Sequence, residues 1–296
     1  MPLREEIVYS SSAYTIRTAQ HPDNLEAGRP AVVTFSHAGL NPGNVRPGFA
    51  ERWLRAKAVD GYFVLNHRTD WFQNDDFFPA IEAIRAHAGS RPLVTYGSSM
   101  GGYGALLGSG RLRAERVVAV VPQFSIERAV VPFEKRWRKE AEALGAFRHD
   151  VTREIHEHAR ITVILDPRND DRHHLALYPL TRNWEVVALP FAGHMPLLVM
   201  QDARLLGGFV LPTLLGQPES RPPIRALLQG RRRSALYFRV LGVHAARLGR
   251  FPTALEAAVR CVELGVPANG DKIHEVIGKL RPVRERLGKR VLLPTA

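Results

Sequence analysis

The stretch with the clearest chemical potential is GSSMG at residues 97–101, in which Ser99 lies between two glycines. It follows the apolar run Leu93–Tyr96 and precedes a segment rich in small residues. A nucleophile on a sharp strand-to-helix turn needs small neighbours, because larger side chains would collide with the adjacent backbone. Such a turn exposes the hydroxyl at a helix N-terminus. The pattern therefore predicts that Ser99 is a nucleophile.

The same glycine-rich turn fits two roles that need no nucleophile. The glycines could simply let a helix pack closely on a strand, with no chemistry involved. They could also form a phosphate-binding loop, but their spacing differs from the G-x-G-x-x-G pattern of dinucleotide-binding folds. Phosphate binding is therefore the weaker alternative.

A serine nucleophile needs a base, and His194 is the preferred candidate among twelve histidines. It lies in the segment FAGHMP, directly after the apolar run Glu185–Leu189. A loop that follows a strand and opens with a glycine can carry an imidazole back over the serine. His173 and His174 are the competing candidates.

The acid that orients the base is expected in the loop DPRNDDRHH at residues 166–174, after the apolar run Ile161–Leu165. Three carboxylates qualify, of which Asp171 is preferred and Asp166 is second. Asp170 stays possible, and Asp166 could instead cap the turn formed with the following proline. A metal site built from these acids and the two neighbouring histidines is a further alternative.

Backbone amides must stabilise the oxyanion of such a reaction, and two are proposed. The N–H of Met100 follows the nucleophile, and the N–H of Ala38 lies in the loop after Ala31–Phe35, with Gly39 as second choice. We expect His37 and Trp71 to contact the substrate. Trp71 could equally anchor its loop in the core.

The elements that position these residues alternate between short apolar runs and amphipathic stretches, which predicts a mostly parallel sheet covered by helices. Residues 124–158 are expected to be a helical insertion, with Phe133 and Trp137 as a lid over the cleft. A proline-rich linker at Gln217–Pro223 precedes a helical segment. Predicted strands are Ile7–Tyr9, Ala13–Arg17, Ala31–Phe35, Tyr62–Leu65, Leu93–Tyr96, Val117–Val121, Ile161–Leu165 and Glu185–Leu189.

Composition and charge limit the partners and the location that are expected for this chain. The chain has 296 residues, 45% of them hydrophobic, one cysteine and a net charge of +12. The basic residues are spread along the chain with one cluster at residues 231–233, and no segment resembles a DNA-reading helix, so nucleic acid is not an expected partner. We expect no membrane span and no secretory signal, and a cytoplasmic location.

The segments FSHAG, YGSSMGGYGA, ITVILDPRNDD and PFAGHMP, in this order, resemble the α/β-hydrolase superfamily over about residues 1–215. The turn that carries Ser99, in the segment YGSSMGGYGALL, is similar to that of bacterial serine hydrolases of unassigned substrate. The resemblance implies an α/β-hydrolase domain at 1–216 and a Ser-His-Asp triad that acts without metal or organic cofactor. His37-Ala38 departs from the His-Gly of many relatives, so Ala38 and Gly39 both stay candidates for the second oxyanion donor.

Residues 237–267 resemble a single tetratricopeptide motif. Its signature positions are matched by Tyr237, Phe238, Leu241, Gly242, Gly249, Phe251, Ala254, Ala258 and Pro267. The resemblance implies a small all-α extension at 224–296 that could bind a protein partner. An ordinary helical hairpin is the alternative.

The sequence thus predicts a serine esterase that acts on a small-molecule or glycan ester through an acyl-enzyme. Acyl transfer to a glycan hydroxyl is an alternative that uses the same site. A catalytically silent scaffold that binds partners through its helical extension is a third possibility.

Overall fold

A computed structural model describes residues 3–39 and 47–265 of the chain. Eight strands in these ranges form one sheet, in the order β1-β2-β4-β3-β5-β6-β7-β8. Their bounds are β1 (Arg4–Ser10), β2 (Tyr14–Gln20), β3 (Ala31–Phe35), β4 (Gly61–Asn66), β5 (Leu93–Ser98), β6 (Arg116–Val120), β7 (Arg160–Leu165) and β8 (Trp184–Ala188).

The sheet is mostly parallel. β2 runs antiparallel to β1 and β4, whereas β4, β3, β5, β6 and β7 pair in parallel. Every residue of β3 and β4 is buried, as expected for strands covered on both faces by helices. The mixed order, with the serine turn directly after β5, gives the chain an α/β-hydrolase-like fold and confirms the predicted fold class.

All eight predicted strands are present, with ends shifted by up to three residues. The helices that cover or connect them are α1 (Pro22–Glu26), α2 (Glu51–Ala56), α3 (Phe77–Ala88), α4 (Met100–Leu107), α5 (Ser109–Leu112), α6 (Arg138–Leu144), α7 (Val151–Glu154), α8 (Asp171–Leu175), α9 (Pro196–Asp202), α10 (Leu206–Leu215), α11 (Ile224–Gly230), α12 (Ala235–Arg247) and α13 (Phe251–Glu263).

The insertion at 124–158 is less helical than predicted. Only α6 and α7 form within it, and irregular backbone connects them. Gly145 ends α6 with a φ of 70°, a conformation that other residues adopt at a cost. The segment before α6 forms isolated turns, such as the one closed by the N–H of Val131 and the carbonyl of Glu127 at 2.8 Å, and side-chain hydrogen bonds.

Two compact units divide the described chain. Of the described residues, the first comprises 3–39, 47–164, 170–187 and 212–219 and contains most of the sheet. The second comprises 165–169, 188–211 and 220–265, which combines the loops after β7 and β8 with the C-terminal helices.

In the second unit, α12 and α13 form an antiparallel hairpin. Ala235 at the start of α12 packs on Cys261 near the end of α13, and Ala245 packs on Ala254 and Ala258. Gly242 and these alanines allow the close approach that the tetratricopeptide resemblance implies, although Pro267 lies outside the described residues. The identity of the hairpin as a tetratricopeptide repeat stays a prediction. No single described helix is long and apolar enough to cross a bilayer, while α9 and α10 pass that test only as a bent pair.

Candidate active site

Ser99 lies on the turn between β5 and α4 with φ 57° and ψ −122°. This positive φ is costly for a residue with a side chain and persists only where the surrounding structure enforces it. A Cβ added at Gly97 would lie 2.0 Å from the carbonyl oxygen of Gly101, and one at Gly101 would lie 2.3 Å from that of Phe35. The two glycines therefore allow the backbone to pass closely enough to form the turn.

The Ser99 hydroxyl donates a hydrogen bond to Oε1 of Gln123, 2.9 Å away. Gln123 is fully buried just after β6, and its Nε2 donates to Oε2 of Glu134 at 3.1 Å. Because a carboxylate only accepts hydrogen bonds, Glu134 fixes the amide so that its oxygen faces Ser99. Neither Gln123 nor Glu134 was predicted, since nothing in the local sequence distinguishes them.

His174 belongs to the same buried network. Its Nδ1 accepts the N–H of Phe124 at 3.2 Å, so its proton is on Nε2, which donates to Glu134 at 3.1 Å. The ring is fully buried and both nitrogens are engaged. These contacts give His174 a structural role rather than that of the competing base.

Arg136 joins Glu134 to Asp171, whose Oδ1 lies 2.9 Å from the guanidinium. Burial raises the pKa of Glu134, but hydrogen bonds from Arg136 and His174 outweigh it and hold that pKa well below its usual range. Burial lowers the pKa of Arg136, but its hydrogen bond to Glu134 and the charge of Asp171 raise that pKa by more. The net effect holds the pKa of Arg136 above its usual value. The side chain of Asp171 is fully buried at the start of α8. The first unit thus links the predicted nucleophile and the preferred acid through Gln123, Glu134 and Arg136.

The predicted oxyanion donors belong to two neighbouring backbone segments. Met100 is the first residue of α4, where N–H groups have no partner within the helix. Gly101 approaches Phe35 and Ser36, the residues directly before the His37-Ala38 loop. The N–H of Gly39 donates to Oγ1 of Thr69 at 3.2 Å, which leaves Ala38 as the better donor candidate.

The two predicted substrate contacts differ in exposure. His37 is exposed, with its ring 6.4 Å from that of Phe49. Trp71 is fully buried, and its ring makes an edge contact with Trp137 at 5.0 Å. Phe133 packs on the rings of His173 and His174. The burial of Trp71 fits the alternative that it anchors its loop, while contact of either His37 or Trp71 with substrate stays a prediction.

Asp166 and His194 both belong to the second unit. Oδ2 of Asp166 accepts the N–H of Gly193, directly before His194, at 2.8 Å, and Oδ1 accepts the N–H of Arg168 at 2.9 Å. Both carboxylate oxygens of the buried Asp166 therefore hold backbone amides. This residue ties the loop after β7 to the loop that carries His194.

The His194 loop also packs against α12. Phe191, at φ 66°, contacts the rings of Tyr237 and His244 at 6.1 and 5.5 Å. The guanidinium of Arg168 lies 4.8 Å from the centre of the Phe191 ring. The C-terminal helices therefore support the loop of the predicted base, a role that the sequence did not indicate.

Among residues 3–39 and 47–265, no group of three or more His, Cys, Asp or Glu side chains is arranged to hold a metal ion. The alternative of a metal site in the Asp166–His174 loop therefore has no support from the geometry of these residues.

No protein-family model matches the chain, and no curated protein matches it. Solved structures with a similar fold include the capsule O-acetyltransferase of Neisseria meningitidis serogroup A, with 11% identity and a TM-score of 0.46 over 63% of this chain and 86% of that one. An esterase from Pyrobaculum calidifontis has 12% identity and a TM-score of 0.43 over 66% and 76%. The serine hydrolase XC6422 from Xanthomonas campestris has 17% identity and a TM-score of 0.39 over 78% and 94%. These are likenesses of fold.

Proposed function

We propose that the chain is a serine hydrolase that cleaves carboxylic esters through an acyl-enzyme. The observation that carries this proposal is the turn at Ser99, where a strained backbone and two close-packed glycines raise a hydroxyl at the start of α4. A turn needed only for packing could be built with glycine at this position, which avoids the strain. The cost of the conformation supports a chemical role.

In the proposed reaction, Ser99 Oγ attacks the ester carbonyl while its proton passes to His194. The new Oγ–C bond leaves a negative charge on the carbonyl oxygen, and the N–H groups of Met100 and Ala38 stabilise that charge. The alcohol then departs with the proton from His194. Water then attacks the acyl carbon and gives a proton to His194. The Ser99 Oγ–C bond breaks, the carboxylic acid leaves, and the proton returns from His194 to Oγ.

Asp171 is proposed as the acid that orients His194, and Asp166 as a positioning residue. These roles are supported by the different hydrogen-bond partners of the two carboxylates. Both oxygens of Asp166 accept backbone amides, whereas Oδ1 of the buried Asp171 is held by a guanidinium. A buried carboxylate that a cation holds in place can orient an imidazole, since each of its oxygens accepts more than one hydrogen bond.

A fluorophosphonate probe tests this function, because it forms a covalent adduct only with an activated serine. We expect labelling of the intact protein at Ser99, lost in Ser99→Ala and retained in Ser98→Ala, a matched substitution one residue away. Mass spectrometry of the labelled peptide identifies the modified residue. Absence of labelling in the folded protein would contradict an enzymatic function and favour a partner-binding scaffold.

Acyl transfer to a hydroxyl is the second candidate, since the same acyl-enzyme can react with an alcohol in place of water. It is favoured by a polar groove lined by Arg68–Asp70, Gln73–Asp75 and residues of α6, in which Thr69 accepts the N–H of Gly39 from the proposed oxyanion loop. Competition between water and an added alcohol distinguishes the two reactions: a product ratio that is unchanged by the alcohol indicates hydrolysis alone.

A further inference from the structure

A groove of about 670 Å³ lies in the first unit, between the loop after β4 and helix α6. Its volume falls within the range of about 300–1,000 Å³ that is typical of small-molecule sites. Two contacts join its walls: the Trp71–Trp137 ring pair and the ion pair between Arg148 and Asp75 at 2.6 Å. The walls are therefore held together at more than one point.

The lining of the groove combines charges of both signs in equal number. Arg68, Lys139 and Arg148 face Asp70, Asp75 and Glu140, with carboxamides from Gln73 and Asn74 between them. The cations do not outnumber the carboxylates, which disfavours an anionic ligand. Of the lining residues, only Ala143 and Leu144 are apolar, which disfavours an acyl chain. Hydroxyl groups both donate and accept hydrogen bonds, so a neutral polyhydroxylated molecule matches this lining.

Buried donors near the groove lack partners. The indole Nε1 atoms of Trp71 and Trp137 are both buried and make no hydrogen bond to the described residues. Trp71 lies between the lining residues Asp70 and Gln73 in the chain, and Trp137 lies two residues before Lys139. Neither indole is among the residues that line the groove, and the ring pair joins its two walls.

Both walls are connected to the proposed reaction centre. Thr69, which lines the groove, accepts the N–H of Gly39, the residue after the proposed oxyanion donor Ala38. On the other wall, Trp137 directly follows Arg136, which is bonded to the Glu134–Gln123–Ser99 chain. A ligand in this groove would therefore contact elements that also fix the oxyanion loop and the nucleophile.

We propose that this groove binds the alcohol half of the ester, and that this half is a neutral carbohydrate. The inference rests on the proposed serine chemistry. The sugar leaves with the proton from His194 when the acyl group passes to Ser99 Oγ. In the reverse reaction, the oxygen of a sugar hydroxyl attacks and bonds to the acyl carbon of the acyl-enzyme, and the Ser99 Oγ–C bond breaks. The proton of the sugar hydroxyl passes through His194 to Ser99 Oγ.

The test compares two acetyl esters that differ only in the alcohol: a mono-acetylated disaccharide and hexyl acetate. Ala143→Trp fills the groove from α6, and Ala146→Trp is its control at an exposed position outside the lining. We expect Ala143→Trp to lower kcat/KM for the sugar ester by about tenfold or more and that for hexyl acetate by less than about twofold, because only the sugar needs the groove. Ala146→Trp should change neither. An equal effect of Ala143→Trp on both esters, or none on either, would overturn the proposal.

A binding measurement separates this proposal from the function it rests on. The free disaccharide is titrated into Ser99→Ala and into the same variant with Ala143→Trp or Ala146→Trp, and followed by isothermal calorimetry. Binding that is lost only with Ala143→Trp supports the groove even if no ester is turned over. Binding that is absent from Ser99→Ala, or equal in all three proteins, rejects the groove even if Ser99 is labelled by the probe. Glu140→Gln, with Glu142→Gln as its control on the same helix, should weaken binding by about threefold to tenfold, as expected for one lost hydrogen bond.

Discussion

The two compact units hold their proposed catalytic residues in different ways. The first holds Ser99, Met100, Ala38 and Asp171, and the second holds His194 and Asp166. In the first, backbone segments pass so closely that only glycine fits, and a buried polar network fixes the side chains. In the second, two loops are joined by Asp166 and packed on a helix of the C-terminal extension. The nucleophile therefore depends on the sheet, whereas the proposed base depends on loops and on α12.

The C-terminal segment differs from the rest of the chain in net charge. Residues 1–219 carry 25 Lys and Arg against 24 Asp and Glu, whereas residues 220–296 carry 16 against 5. Arginines occur throughout, but almost all of the excess positive charge belongs to the C-terminal segment. Part of it is placed on aromatic rings, since the guanidinium of Arg231 lies 5.1 Å from the ring centre of Tyr237. The extension thus combines an excess of positive charge with a packing role against the His194 loop.

Glycine substitutions should show a large difference in stability between the two units. A Cβ at Gly101 would lie 2.3 Å from a backbone oxygen, whereas one at Gly242 would lie 3.4 Å from the Ala257 side chain. We expect Gly101→Ala to lower the free energy of unfolding by about 3 kcal/mol or more, because backbone must move. Gly242→Ala should change it by at most about 1 kcal/mol, since alanine is also the better helix former. Urea unfolding measures both, and equal losses would contradict the proposed difference in packing.

The two aspartates test which unit supplies the acid. Asp171→Asn should lower kcat by about 10⁴-fold, since a neutral amide neither orients the base correctly nor stabilises its charged form. Asp166→Asn should lower it by about tenfold, through displacement of the His194 loop. Steady-state hydrolysis of 4-nitrophenyl acetate measures both effects. If the order of the two losses is reversed, Asp166 is the acid.

Substitution on α12 tests the support of the His194 loop. Tyr237→Leu removes the ring that contacts Phe191 and should lower kcat by about tenfold with a changed pH profile of kcat/KM. Phe238→Leu is the matched control, because Phe238 packs on the Ala235–Cys261 cluster within the hairpin. Equal activity of both variants across pH would show that the extension does not position the loop.

The smallest effect concerns acid stability of the first unit. Glu134 has a depressed pKa in the folded chain, so it stays ionised where the unfolded chain takes up a proton. The ionised Glu134 makes its full contribution to the free energy of unfolding above its ordinary pKa of 4.5. That contribution is lost progressively as the pH falls below this value. Glu134→Gln should therefore unfold at a urea concentration that varies less with pH below about 4.5. Glu142→Gln, at an exposed position, is the control and should keep the wild-type pH dependence. If Glu134→Gln also keeps it, the hydrogen bonds from Arg136 and His174 do not stabilise the ionised form of Glu134.

Much of the fold was predictable because its signals are local. Alternation of apolar runs with amphipathic stretches predicted all eight strands, and Ala31–Phe35 and the helix at Phe77–Ala88 have the predicted bounds. Short helices such as α5 and α8 were missed, since four or five residues carry too little periodicity to detect. The insertion was predicted as helical because its mixed aromatic and charged residues lack strand character, but only α6 and α7 form in it, and Gly145 ends α6.

The sequence by itself determined the turn at Ser99, because only glycine tolerates the backbone contacts on either side of it and those glycines lie within two residues of the serine. It also determined the order of the candidate serine, acid and histidine along the chain. Tertiary structure alone decided that Gln123 contacts the serine and Glu134 contacts Gln123, that His174 is buried in their network, and that α12 supports the His194 loop. Ser99 and Gln123 lie 24 residues apart in sequence, Gln123 and Glu134 lie 11 apart, and Glu134 and His174 lie 40 apart. The residues between them carry no local signal of the contact. Burial in a shared space, rather than spacing, brings them together.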